Sequence, residues 1–241
     1  PTAAPPTAAP AEPTPTVATA AETDNLATGD CGNEFFPVRE GLVQRYSNSI
    51  PGLGTTEHTM TYSDVTAGSF IVTTDVGEGD VLIHTWQCSG NGLLSPELTS
   101  LPGAEGLSIE FVEATGVTIP SADLFTPGES WTTHYVAIAN MPDMGAGPME
   151  MEQTIDLENT VVGTEAVTVP AGDFPDAIRV DTAGTMSMIM STGETAQPAT
   201  EITIAYTSWY VEGVGVVRQD FSGLFGDTGA GDNLTELVSV E

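Results

Sequence analysis

Hydrophobic and polar residues alternate with a period of two along most of this chain. In "MEMEQTIDLE", Met149, Met151, Ile155 and Leu157 fall on one side of an extended backbone, and Glu150, Glu152, Asp156 and Glu158 on the other. "GDVLIHTWQCSG" sets Leu82, His84, Trp86 and Cys88 against Val81 and Ile83, and "AIRVDTAGTMSMIM" aligns Ile178, Val180, Met186, Met188 and Met190. "EHTMTYSDV" and "EITIAYTSWYVEG" continue the theme. Successive side chains of a strand point to opposite faces, so this period marks strands with one buried face. The helical period is missing, apart from one short turn that fits within "PSADLFTPG". Gly, Pro, Asp and Asn, the residues of tight turns, separate the runs. About ten such strands predict an all-β fold. The expected form is an antiparallel meander curling into a strongly curved sheet, a half-barrel or a barrel, with a β-sandwich as the alternative.

Residues 1–29 break the pattern. "PTAAPPTAAPAEPTPTVATAA" holds almost no large apolar side chain, and its prolines fix φ and remove donors, which favours extended polyproline II over packing. The chain therefore divides into an extended Pro/Thr/Ala-rich arm, 1–29, and one β-domain, 30–241. Ordering such an arm costs roughly 1–2 kcal/mol per residue, with few apolar groups to offset it, so the expected partner is another copy of the chain. Pro13, Pro15, Val17, Ala18 and Ala20 are the candidate docking residues, with "TVATAAET" adding a short strand where proline no longer blocks pairing. Head-to-tail docking of this kind builds an open filament or a surface layer. The arm's threonines also have the composition of O-glycosylated stalks, and Asn233-Leu234-Thr235 fits an N-glycosylation sequon.

Charge narrows the partners. The 241 residues include 34 acidic side chains against four arginines and no lysine, for a net charge of −30. That balance repels phosphate backbones and anionic headgroups, which argues against nucleic acid and membrane-surface partners. No stretch approaches the roughly 20 apolar residues of a spanning helix. Copies of the chain also repel one another, within the screening distance of about 8 Å at physiological salt, so assembly is expected to need calcium, protonated contacts or an apolar interface.

Two cysteines, Cys31 and Cys88, and three scattered histidines lack the paired spacing of a zinc site. A Cys31–Cys88 disulfide is the simpler reading; its long loop stabilises by about 4 kcal/mol in the chain-entropy picture. Disulfides persist in oxidising compartments. The chain begins at proline, which fits cleavage of an upstream signal peptide. The expected location is extracellular or at the cell surface.

Four segments carry a resemblance: "CGNEFFPVREGLVQRY", "HTWQCSGNGLL", "TVPAGDFPDAIRV" and "SWYVEGVGVVRQ". They resemble segments of uncharacterised bacterial secreted and envelope proteins, often lipoproteins, and distantly the curved-sheet half-barrels of the LolA and LppX type, which cover a helix or a lipid. The resemblance spans most of residues 31–220. It implies a half-barrel fold and an envelope compartment, and it brings no catalytic residues.

Chemistry is sparse. The sequence has no Gly-x-Ser-x-Gly elbow and no His-Glu-x-x-His. Glu150, Glu152, Asp156 and Glu158 resemble a glycosidase carboxylate pair only in their spacing, and simple alternation on a wet face accounts for all four. No enzymatic activity is expected. Met149, Met151, Met186, Met188 and Met190 form a candidate apolar groove, because methionine fills irregular cores and adaptable binding surfaces. "MPDMGAGPMEM" also has a spacing suited to Cu(I). Asp75, Glu78 and Asp80, and Asp227 and Asp232, are weak calcium candidates that match no calcium loop and suit turns equally well. No other cofactor is expected. Two readings result: a non-enzymatic extracellular protein that self-assembles through its arm, or, alternatively, an envelope lipoprotein-like carrier binding an apolar ligand in a methionine-lined curved sheet.

Overall fold

The computed structural model describes residues 31–50, 54–77, 79–100, 108–141, 149–193, 195–222 and 233–241. The first half holds β1 (Val43–Ile50), β2 (Gly54–Ser63), β3 (Ser69–Gly77), β4 (Asp80–Ser89), β5 (Gly92–Ser100), β6 (Ser108–Gly116) and β7 (Ile119–Pro120). The second holds β8 (Ser130–Met141), β9 (Met149–Val169), β10 (Gly172–Thr192), β11 (Thr195–Ala196), β12 (Thr200–Val211), β13 (Gly215–Asp220) and β14 (Leu234–Val240). All fourteen belong to one antiparallel sheet in the order β6-β8-β9-β10-β12-β13-β14-β1-β2-β3-β4-β5-β7, with β11 added to β10. The sheet is open and strongly curved, a half-barrel; a sandwich would need two sheets. Fourteen strands exceed the expected ten in part because β7 and β11, two residues each, are too short to show a period. A short helical turn, Ala122–Leu124, lies inside "PSADLFTPG" as expected.

Neighbours in sequence are mostly neighbours in the sheet, as hairpin connections require. The order departs from the sequence where β5 pairs with β7, β6 with β8 and β10 with β12, and where β14 returns to pair with β1 and joins the two halves. Bulges bend the long 21-residue strands β9 and β10, where the register shifts between Phe174 and Ala177 and again between Arg179 and Val180.

The curve is drawn round at one end by the link between β6 and β7. Val117 N–H donates to Thr132 O beside β9, and the next residue, Thr118, donates its N–H to Leu93 O of β5. Two consecutive residues thus bond to opposite ends of the strand order. Gly92 and Gly116 make this approach possible. Both have positive φ, +139° and +78°, and a Cβ would meet Ile119 O at 2.2 Å and Thr132 O at 2.1 Å respectively.

The interior is filled from the N-terminal side. Residues 31–42 are tethered to β4 by the Cys31–Cys88 disulfide (Cα–Cα 5.0 Å), and Phe36, Val38 and Leu42 are buried in the main core. Phe36 packs against Tyr62, Phe70 and Trp86 from β2–β4, while Phe35 meets Phe125, which touches Trp131 and Tyr210. This segment therefore links the two walls of the curve. A second cluster forms where the β9–β10 hairpin end packs Val167, Val169 and Phe174 with Trp209, Val217 and Leu237, fixed by Ala171 N–H to Leu237 O at 3.0 Å.

Candidate functional site

The concave face contains a cavity of about 200 Å³. Aromatic rings of Phe36, Tyr46, Trp86, Tyr206 and Tyr210 dominate its lining, with Met60, Ile119 and Val216, and the polar side chains are His58, Asn159, Gln219, Thr118 and Thr235. None of these residues carries a formal charge, although the chain holds 34 carboxylates. Strand register explains the grouping. Tyr46 of β1 faces His58 of β2 directly, and their rings stack at 5.3 Å and 13°.

The polar residues are held by specific partners. Thr235 Oγ1 donates to Asn48 Oδ1 at 2.6 Å, so the Asn48 amide nitrogen is the group that faces His58 Nδ1 at 3.1 Å. Nδ1 is then the acceptor, and the neutral ring carries its proton on Nε2. Burial lowers the His58 pKa below the ordinary 6.5, which keeps the ring neutral. Thr182 Oγ1 donates to Asn159 Oδ1 at 2.7 Å, and Gln219 Nε2 donates to Ser208 Oγ at 3.1 Å. Tyr46 donates its hydroxyl to Val216 O at 2.9 Å, and burial pushes that hydroxyl well above the ordinary tyrosine range. Thr118 and Tyr135 hydrogen-bond through their hydroxyls.

From the cavity an apolar face continues along the strands. Beyond Asn159, alternation on β9 brings Leu157, Ile155, Gln153, Met151 and Met149 to the same side. Across the ladders Ile155 faces Tyr135 and Met186, Gln153 faces Ala137 and Met188, and Met151 faces Ala139 and Met190. Met186 in turn pairs with Ile202. The five methionines of the expected groove therefore share one face. Met149, Met151, Met186 and Met188 are half-buried, and Met190 is exposed at 37%. Gln153 Nε2 lies 3.6 Å from Met151 Sδ and 3.8 Å from Met188 Sδ, so the one polar residue in the row is turned onto its sulfur neighbours.

The carboxylate ladder occupies the opposite face. Glu150, Glu152, Asp156 and Glu158 are all exposed, and Asp156 accepts at 2.7 Å from His134 Nδ1, whose Nε2 is 3.9 Å from Glu113. Asp75 and Asp80 are exposed as well. Asp75 Oδ1 accepts from Gly77 N–H at 2.8 Å, a turn-forming contact. Among the described residues no group of three or more His, Cys, Asp or Glu is placed to hold a metal ion. Glu78, Asp227, Asp232 and the arm residues Pro13, Pro15, Val17, Ala18 and Ala20 lie outside the described residues. Among the described residues no helix is long and apolar enough to cross a membrane.

Sequence reasoning located the methionine face and passed over the cavity. Tyr46, Asn48, His58, Tyr206, Gln219 and Thr235 come from five strands. The available signal was local: "VQRYSNSI" alternates Gln44, Tyr46 and Asn48 on one face, polar and aromatic where an aliphatic core row would be expected.

Residues 103–222 match the family model described as DUF3108-like, a span that includes β6 to β13 and hence all the strands of the methionine face. Two solved structures are similar to the chain. One, from Bacteroides fragilis, is provisionally described as an exported protein with a YmcC-like fold; it is 17% identical, with a TM-score of 0.48, and the match covers 87% of this chain and 99% of that one. The other, from Parabacteroides distasonis, is provisionally described as a lipoprotein; it is 14% identical, with a TM-score of 0.47 and the same coverages, 87% and 99%. Neither is described as LolA- or LppX-like. No curated protein matches the chain.

Proposed function

We propose that this protein is a non-catalytic carrier of the bacterial cell envelope that holds a largely apolar molecule against the concave face of its half-barrel. The observation that carries this reading is the row of half-buried Leu, Ile and Met side chains, with Gln153 turned onto its sulfur neighbours, that leads out of an uncharged, aromatic-lined cavity. Contiguous apolar surface left open on a soluble fold marks a binding site, and thioether side chains adapt to ligands of varied shape. At 200 Å³ the cavity is below the roughly 300–1,000 Å³ of pockets that enclose a drug-sized molecule. It receives one end of the ligand, and the methionine face supports the rest. The disulfide supports an oxidising compartment, in keeping with the envelope resemblance of the sequence.

The self-assembly reading depends on the arm, 1–29, whose residues lie outside the described region, and a net charge of −30 opposes close packing of copies. Titration with the neutral probe N-phenyl-1-naphthylamine tests the carrier. Saturable fluorescence enhancement is expected, weakened at least tenfold in the Met151→Glu/Met186→Glu double variant with little change in thermal stability. Absence of saturable binding by the full chain would overturn the reading.

A further inference from the structure

Taking the concave face as a carrier surface, we infer that His58 and Asn159 recognise an uncharged oxygen acceptor, so that the cargo is a neutral acyl ester or amide. A free fatty acid, an anionic phospholipid or a bare hydrocarbon fits less well. The inference rests on the carrier reading and names the ligand end that the cavity receives.

His58 uses Nδ1 as an acceptor toward Asn48, which leaves Nε2–H as a donor with no protein partner among the described residues. Asn159 has its Oδ1 taken by Thr182, which leaves the Nδ2 hydrogens likewise free of a protein partner among the described residues, on a residue only 5% exposed. Both side chains line the same cavity, reaching it from β2 and β9, strands far apart in the sheet order. A carbonyl oxygen has two lone pairs and accepts from two such donors. Gln219 donates from Nε2 to Ser208, and its Oε1, with no protein partner among the described residues, is an acceptor that suits the N–H of an amide or the hydroxyl of a partial ester.

Charge excludes the anionic alternatives. A carboxylate or phosphate end placed here would be desolvated with no cationic side chain among the lining residues. The chain's net charge of −30 adds repulsion on approach. His58 cannot supply the missing positive charge above its ordinary pKa of 6.5, because burial moves it further down. A bare hydrocarbon is accepted by the methionine face but leaves both donors without an acceptor.

Displacement of N-phenyl-1-naphthylamine from the full chain at pH 8 by methyl laurate, laurate and dodecane tests this. Two hydrogen bonds of ordinary net strength give roughly a tenfold or greater preference, so methyl laurate is expected to displace the probe at about one-tenth the free concentration needed for dodecane or laurate. His58→Phe and Asn159→Leu should each shrink that ratio toward one. Equal displacement by methyl laurate and dodecane, stronger displacement by laurate, or an unchanged ratio in both variants would overturn the recognition pair while leaving the carrier reading intact. Failure of the chain to bind the probe or any of the three compounds would instead remove the carrier reading, and this inference with it.

Discussion

Replacing both Cys31 and Cys88 by alanine should lower the stability of the fold by about 4 kcal/mol and leave it folded. The two residues are 57 positions apart. In the chain-entropy relation a loop of that length removes about 14 cal/mol/K from the unfolded ensemble, or about 4 kcal/mol at 25 °C. The folded side of the balance changes less. Phe36, Val38 and Leu42 stay buried at 8%, 1% and 0% exposure, and each contributes about 1.5–3 kcal/mol by burial, so residues 31–42 remain packed between the walls without the bridge. Alanine is the appropriate replacement, because serine would place a hydroxyl at the fully buried Cys31 position. Urea unfolding followed by tryptophan fluorescence is the assay. The double variant should keep one cooperative transition at a lower midpoint, with a steeper dependence on urea as the freed unfolded chain exposes more surface. A loss under about 1 kcal/mol would refute the entropic reasoning. Disappearance of the cooperative transition would refute the claim that the segment is held by its own burial.

Gly92→Ala and Gly116→Ala each force a Cβ to within about 2 Å of a backbone oxygen at the β5–β7 and β6–β8 contacts, and each should cost more than about 2 kcal/mol in chemical denaturation. Gln44→Leu leaves the buried Tyr62 hydroxyl and Val214 carbonyl without their partner; a loss of about 2–4 kcal/mol is expected by the same assay. Burial lowers the pKa of both His58 and His84 below 6.5. The unfolded chain therefore binds more protons than the folded one as pH falls through and below 6.5, and stability falls with it. Because carboxylates titrate as well, the measured quantity is the difference between the wild type and a His58→Phe/His84→Phe variant. The wild type should lose stability relative to the variant between pH 7 and pH 5, and no relative change would contradict the desolvation argument.

The strand pattern was legible in the sequence where alternation is long and the two faces differ sharply. β9 shows this best, with carboxylates on one face and Met, Ile and Leu on the other. The Cys31–Cys88 bridge followed from cysteine number and the lack of a zinc pattern. Strand β7 was not legible, because two residues set no period; its place depends on Gly92 allowing Pro120 to approach. The cavity was hidden for a different reason. Tyr46 and His58 meet through hairpin register, but Asn159 and Gln219 reach the same space only through the curvature of the whole sheet and the return of β14 to β1. Alternation tells which face a residue occupies and says nothing of what faces it across a closing sheet. The resemblance to envelope half-barrels pointed to the fold, and its quoted segments include Tyr46, Trp86 and Tyr210 of the cavity lining, although it assigned none of them a role in binding.

The carrier reading requires one apolar molecule on the concave face of each chain. Native mass spectrometry of the full chain, mixed with a molar excess of methyl laurate and desalted, tests it most directly. A single added mass per chain is expected in the wild type, and its loss in the Met151→Glu/Met186→Glu variant. A wild-type spectrum with only the bare chain, or an adduct retained equally by the variant, would contradict it.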